Sequence, residues 1–405
     1  MKKLFLFSFL FILLYLEPLN FLGLKFSHIW KIILIFICIP ILLKKRIYFN
    51  FFKLYFFYGI SLIVTPFFIE YPLEILTQSI KYLFFPFMMS FLLYNRNYNY
   101  INKEMLSAFV IISFLPFYFN ILPQLGTSYE LEDMGFEIND ALSGIFQQPH
   151  EASISLSLSI ITLTYALVNE KKFLNKILFS ALIVVGIFFL IKTYVRLGIL
   201  MFLISLFFIF FYKTKLVLKT KFLFIFVATS ILSVTYLINN SSTQIVTFTA
   251  RLLGQTAYSS SSDIDSDIVS SGRLTIWESS IESWKEDGDI SVITLGLSEP
   301  ELIKRNKQKI GKAVFSHNEF INALATGGFI SLFIFLGFFF FWFKKINILK
   351  NKNFDIQYYK YALIIFVNYF LFCLLQGGPI SVIAGAFILF SLVPLFQLKT
   401  NKLNI

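Results

Sequence analysis

Charge is what this chain has least of. Asp, Glu, Lys and Arg together make up 14% of its 405 residues, against about 25% in an ordinary soluble domain. That shortage excludes a water-soluble globular protein, because too few charged groups are available to cover its surface. Cysteine is nearly missing as well. The two present, Cys38 and Cys373, both sit inside apolar runs far apart in sequence, which excludes a disulfide framework and reads as two small buried hydrophobes. Histidine occurs three times, and no Cys/His spacing resembles a metal site. No internal repeat stands out, which counts against transporters built from two related halves.

What is present is apolar: 57% hydrophobic residues, 54 of them Phe. Counting runs of about 17 to 25 apolar residues, the length needed to cross a bilayer, predicts about twelve spans. They lie near 4–20, 29–43, 51–69, 75–94, 105–122, 151–168, 177–192, 196–212, 222–238, 320–343, 361–376 and 380–397. The first follows Lys2-Lys3 but lacks a small-residue cleavage site before Glu17-Pro18, so it reads as a retained span. The expected architecture is an all-α polytopic membrane protein in three regions: a membrane region over 1–238, a large polar loop with short helices over 239–316, and a membrane region over 317–405.

The positive charge sorts by side. With the N-terminus in the cytoplasm, the inner segments hold 22 of the 35 Lys/Arg and three acids, Glu104, Glu170 and Asp355. The outer side carries twelve basic and twenty acidic residues, and Lys81 lies within a span. The positive-inside rule therefore predicts both termini in the cytoplasm and the 239–316 loop outside. The net charge of +12 reports topology, and nucleic acid is not an expected partner.

Two outward segments are long. The first, 123–150, carries Glu130, Glu132, Asp133, Glu137 and Asp140 with no Lys or Arg, and closes at Pro149-His150. The second is the 239–316 loop, whose Ser259–Asp267 run reads as a tether. After Gly272-Arg273 the pattern turns helical: Leu274, Trp277, Ile281 and Trp284 recur at spacings of 3, 4 and 3, predicting one apolar face. Gly288 is the expected stop. The cluster Lys304, Arg305, Lys307, Lys309 and Lys312 reads as a solvated face.

A few residues can carry chemistry at the outer surface. His317 stands where the loop re-enters the membrane, with Asn318 beside it. Histidine is the side chain best matched to accepting a hydroxyl proton near neutral pH, although a histidine at this depth also serves as an interfacial hydrogen bonder. Arg196 lies in a short turn between two apolar runs. An arginine near membrane depth is costly and marks function by default, with snorkelling to the interface as the alternative. Arg273 supplies a second guanidinium, and two such groups can grip a diphosphate through bidentate bonds and stabilise it on departure. His150, beside Glu151, is a further candidate for substrate contact, and His28 reads as interfacial. Gly327-Gly328 reads as a bend or a close packing point.

Taken together, Gly272-Arg273 with Trp277, Gly296 in Leu295-Gly296-Leu297-Ser298, His317-Asn318 and Gly327-Gly328 before an apolar run resemble the signature of the O-antigen ligase/polymerase superfamily, which includes Wzy-type polymerases and WaaL-type ligases. The resemblance is strongest over about 270–345, and Arg196 opening a span agrees with it. It implies a GT-C-like membrane fold of about 12 transmembrane helices in the bacterial inner membrane, with one large periplasmic loop. It also implies a metal-independent, cofactor-free glycosyltransferase whose donor is an oligosaccharide on undecaprenyl diphosphate. His317 would be the general base, and Arg196 and Arg273 would hold and stabilise the diphosphate. Asn318 and Trp277 would join the substrate-binding set, to which position adds His150, where the family pattern has Asn or another small polar residue. The acceptor would be a second lipid-linked repeat unit in a polymerase, or lipid A–core in a ligase. Membrane lipids, a chain-length regulator and a flippase are the partners that follow. The Ile-, Lys-, Asn- and Phe-rich composition leans toward a polymerase. A polysaccharide flippase or transporter is the rival from another class, and it would not need so long an outward loop.

Overall fold

The computed structural model describes residues 46–68, 149–193, 195–211, 273–286, 288–311, 313–351 and 356–377, with a few isolated positions before 143. Among these the chain is helical, apart from two antiparallel pairings of two-residue strands: β1 (Asn20–Phe21) with β2 (Leu24–Lys25), and β3 (Ser128–Tyr129) with β4 (Ala141–Leu142). The helices are α1 (Arg46–Phe68), α2 (Pro149–Asn169), α3 (Phe173–Lys192), α4 (Arg196–Phe211), α5 (Arg273–Lys285), α6 (Ile290–Leu295), α7 (Glu299–Ile310), α8 (Glu319–Asn351) and α9 (Ile356–Leu375).

Six of the expected spans, 51–69, 151–168, 177–192, 196–212, 320–343 and 361–376, coincide with α1, α2, α3, α4, α8 and α9. The other six lie wholly or largely outside the described residues, as do Cys38, His28, Lys81 and the Ser259–Asp267 run. Two stretches, Phe173–Ile191 and Glu319–Ile348, are long and apolar enough by themselves to cross a membrane. Shorter apolar stretches run through α1, α2, α4 and α9.

The chain divides into two compact units. One comprises Met1–Pro18, Asn102–Ser271 and Asp355–Asn368. Its described centre is the hairpin series α2–α3–α4. Lipid is as apolar as leucine, so helices in a bilayer gain little from hiding apolar faces and instead need close approach and hydrogen bonds. Both are present. Gly198 lies so close to Ser153 that a Cβ there would meet its side chain at 2.8 Å. Ser157 Oγ donates to the Gly198 carbonyl at 2.8 Å. Within the same unit Asn368 Nδ2 donates to Ser205 Oγ at 2.6 Å, and Tyr361 stacks on Tyr165 at 4.8 Å.

The other unit comprises Leu19–Ile101, Gly272–Phe354 and Tyr369–Ile405. Its core is aromatic. Tyr58 stacks on Phe335 at 4.4 Å, Tyr55 meets Phe338 edge-on at 5.2 Å, and Phe339 stacks on Tyr369 at 5.9 Å. Such pairs add about 0.5–1.5 kcal/mol beyond plain contact. A hydrogen bond also crosses from α1 to α8, where Ser331 Oγ donates to Ser61 Oγ at 2.6 Å.

The polar end of this unit is where the sequence pattern is corrected. The helix over Arg273–Lys285 forms as expected, and Gly288 (φ 59°) follows its end. Its buried face, however, is Ile276, Ser279, Ser280, Ser283 and Trp284, while Leu274 is 43% exposed. Hydrogen bonding decides this. Asn306 of α7 is fully buried, accepts from Ser279 Oγ at 2.8 Å and donates to Ser280 Oγ at 3.2 Å. Those bonds let Ser279 and Ser280 be buried, whereas Ser283 Oγ is buried with no hydrogen-bond partner among the described residues. The expected solvated basic face holds for Lys304, Lys307 and Lys309, which are exposed. It does not hold for Arg305, which is largely covered and donates to the Ser283 carbonyl at 3.0 Å, and Lys312 lies outside the described residues. Lys304 is well exposed, and Lys309 pairs with Glu286 at 3.0 Å.

Candidate active site

His317 and Arg273 belong to the same unit and are drawn together by the end of α9. Arg273 opens α5, and its Nη2 donates to Oε1 of Gln376 at 3.0 Å. The His317 ring hydrogen-bonds the Gln376 backbone. Gln376 is only 5% exposed and follows the last residue of α9. One residue from another helix thus touches both the expected base and the expected anion-binding cation.

The loop that carries His317 is tightly specified. His317 has φ 49°, a left-handed conformation that costs about 1–3 kcal/mol in a non-glycine residue. Its neighbours keep it there. Asn318 Oδ1 accepts from the Phe320 and Ile321 backbone N–H groups at 2.9 and 3.2 Å, capping α8. Ser316 Oγ donates to the Asn318 carbonyl at 2.9 Å. Asn306 Nδ2 donates to the Val314 carbonyl at 2.9 Å, anchoring the approach. Gly377 (φ 65°) closes from the other side, where a Cβ would meet Asn318 N at 2.8 Å. The imidazole also packs on the Phe315 ring at 4.5 Å.

These surroundings set the proton affinity of His317. Burial holds its pKa down, to about 4, and the Arg273 charge lowers it further, while the bond to the Gln376 backbone acts the other way. At neutral pH the ring is therefore neutral and can accept a proton. Among the described residues its buried Nδ1 has no hydrogen-bond partner. The same holds for Nε1 of Trp277, one helical turn beyond Arg273. Both atoms are buried polar groups that a polar ligand could satisfy.

Glu319, two residues after His317, is 2% exposed and accepts from the Tyr58 hydroxyl at 2.6 Å. A carboxylate in the first turn of a helix is favoured by the helix dipole. Its bond to Tyr58 ties the His317 turn to α1. Below it, α8 bends at Gly328 (φ 65°, ψ −169°). The freed carbonyls there are taken by the loop after α6: Leu297 N donates to Ala325 O at 2.8 Å and Ser298 N to Thr326 O at 3.2 Å. The glycine pair is thus the close packing point that the sequence suggested.

Arg196 and His150 belong to the other unit. Arg196 is the first residue of α4, and Thr193 Oγ1 shapes the preceding turn by donating to the Leu190 carbonyl at 2.7 Å. His150 stands in the first turn of α2, where Ser153 Oγ donates to its carbonyl at 3.1 Å. Because Gly198 packs on Ser153, Arg196 and His150 lie at the same end of the α2–α4 pair. Arg273 and Arg196 therefore share one local design, a guanidinium on the opening turn of a helix. Their own helix dipoles disfavour a cation there. Free backbone N–H groups and a guanidinium at one helix start together attract an anion.

Sequence reasoning missed Gln376, Gly377, Tyr58 and Glu319. Gln376-Gly377 read as the end of an apolar run. The signal was a lone amide side chain followed by Gly377-Gly378-Pro379, a polar residue just before a forced turn.

Residues 181–336 match a family model described as O-Antigen ligase. The matched stretch takes in Arg196, Arg273, Trp277, His317 and Gly328 and ends before Gln376. A comparison with curated proteins found no match.

Proposed function

We propose that the chain is a surface-polysaccharide polymerase of the O-antigen ligase/polymerase superfamily, a reading supported by the family match over residues 181–336. It joins repeat units carried on undecaprenyl diphosphate at the periplasmic face of the bacterial inner membrane. The observation that carries the reading is the meeting of His317 and Arg273 at Gln376: a base kept neutral beside a cation suited to an anionic leaving group.

In the proposed reaction His317 takes the proton from an acceptor sugar hydroxyl. That oxygen attacks the anomeric carbon of the donor, and the bond from that carbon to the diphosphate oxygen breaks. The electron pair leaves with undecaprenyl diphosphate, and the anomeric configuration inverts. Arg273 and Arg196 bind the diphosphate and stabilise its charge as it departs, the role that a metal plays elsewhere. Trp277 offers its indole N–H to the glycan, and His150 lies on the substrate path beside Arg196. Asn318 contributes by holding the His317 turn against the substrate. No cofactor takes part. The fold is GT-C-like with about 12 transmembrane helices, the 239–316 loop outside and both termini in the cytoplasm. A flippase and a chain-length regulator act beside it.

A ligase that transfers the glycan to lipid A–core would use the same chemistry. The Ile-, Lys-, Asn- and Phe-rich composition, shared with AT-rich polysaccharide gene clusters, favours the polymerase. A deletion strain separates the two. Single repeat units left on the core indicate a lost polymerase, and a bare core indicates a lost ligase.

A further inference from the structure

Glu319 opens a stretch long and apolar enough to cross a membrane, yet its carboxyl group is 2% exposed. An ionisable group so placed is costly and marks function by default. Its Oε1 accepts from the Tyr58 hydroxyl of α1 at 2.6 Å, and Tyr58 is itself fully buried.

The shape of α8 shows what this bond holds. A straight helix would separate residues 320 and 335 by about 22 Å. Here the Phe320 ring meets Phe335 at 5.3 Å and Phe339 at 5.6 Å. The bend at Gly328 therefore folds the first arm of α8, residues 319–327, back along the second. The base of that arm is fixed by the backbone bonds from Leu297 and Ser298 to the Ala325 and Thr326 carbonyls. Its tip follows directly on His317. There the ring contacts of Phe320 are apolar and non-directional, so they tolerate sliding. The Glu319–Tyr58 bond has a direction and specifies one register between the arm and α1. The Tyr58 ring is in turn stacked on Phe335 of the second arm at 4.4 Å.

We infer that Glu319 is a positioning residue: with Tyr58 it latches the tip of the folded arm and so holds the His317 turn in its reactive conformation. The inference rests on the functional reading above and adds a residue that acts through the turn, not on the substrate. It makes a specific demand, that position 319 supply a hydrogen-bond acceptor. A proton relay or an electrostatic role would instead need the carboxylate itself.

The test uses the full-length protein in lipid nanodiscs, supplied with undecaprenyl-diphosphate-linked repeat units. Glu319→Gln keeps the acceptor oxygen and removes the charge. Its kcat is expected within about fivefold of wild type, the difference between a charged and a neutral hydrogen bond. Glu319→Leu removes the acceptor. It is expected to lower kcat by about 100-fold, the scale of an ångström-sized misplacement, at an unchanged KM for the lipid-linked donor. Tyr58→Phe should lower kcat in the same way, and adding it to Glu319→Leu should lower kcat no further, because both remove one bond. Wild-type kcat in Glu319→Leu, a loss in Glu319→Gln as deep as in Glu319→Leu, or a loss in KM alone overturns the inference. Where Glu319→Leu does not fold, Tyr58→Phe decides, and a wild-type kcat there overturns the inference.

A second readout needs no turnover. In histidine-labelled protein the His317 ring signal is assigned by its loss in His317→Gln. It is expected to keep its wild-type shift in Glu319→Gln and to move or split in Glu319→Leu and Tyr58→Phe. A signal unmoved in all three variants overturns the inference. A wild-type protein that transfers no glycan would refute the polymerase reading, while the ring signal would still decide the role of Glu319.

Discussion

Gly296 lies against the backbone of Gly327, so close that a Cβ on Gly296 would overlap the Gly327 nitrogen. Gly328 returns the contact against Thr294 and Leu295. The bend in α8 and the loop after α6 are therefore one joint, made of backbone alone. It lies in the helix that the His317 turn leads into.

Alanine at Gly296 or Gly328 is expected to destabilise this unit. The positive φ values, 81° and 65°, cost about 1–3 kcal/mol each for a non-glycine residue before any overlap is counted. Thermal unfolding of detergent-solubilised protein checks this. Alanine at Gly288, which has open space around it, should pay only the conformational cost and serves as the comparison.

Replacing Asn318 with alanine removes the cap of α8 and is expected to lower stability by about 1 kcal/mol. Asp at the same position keeps the acceptor oxygen and should restore most of that loss. The same melting experiment reads both variants. An Asn318→Ala protein as stable as wild type would mean that the two backbone N–H bonds contribute nothing.

Tyr58→Phe takes the hydroxyl donor from the buried Glu319 carboxyl. A loss of about 1–3 kcal/mol is expected, the scale for leaving a buried polar group short of a partner. Amide hydrogen exchange in the first turns of α8 is the measurement, and faster exchange there is the expected sign.

The pH dependence follows from His317. Its pKa in the folded protein, about 4, lies below its ordinary value of 6.5. Between those values the unfolded chain binds more protons than the folded one, so this group's contribution to stability falls as the pH drops from 6.5 toward 4. Transfer should be insensitive to His317 protonation from neutral pH down to about 5 and fall as the pH nears 4. Initial rates across that range, with melting temperatures measured in parallel, separate the two effects.

Much of this was legible in the sequence, for reasons that can be named. The long apolar runs placed α1, α2, α3, α4, α8 and α9, because a bilayer leaves helices few alternatives. Arg273 and His317 stood out because charge and histidine are rare here. The buried face of α5 was not legible. Ser279 and Ser280 become worth burying only once Asn306 is folded against them, and nothing local signals that pairing. Gln376 was hidden for a similar reason. An amide at the end of an apolar run looks like a boundary residue until the fold brings Arg273 and His317 to it. Gly327-Gly328 was read as a packing point, yet its partner Gly296 could be identified only in three dimensions.

The central claim is that His317 and Arg273 form the site of glycosyl transfer. The most direct measurement is chain elongation by the purified full-length protein supplied with undecaprenyl-diphosphate-linked repeat units and no nucleotide sugar. The wild type is expected to produce longer lipid-linked glycans. His317→Ala should slow this by about 10²–10⁴-fold and Arg273→Ala by about 10²–10³-fold, with each protein present at the wild-type level. Elongation by both variants at the wild-type rate, or a wild type that moves lipid-linked glycan across the membrane without lengthening it, would contradict the account.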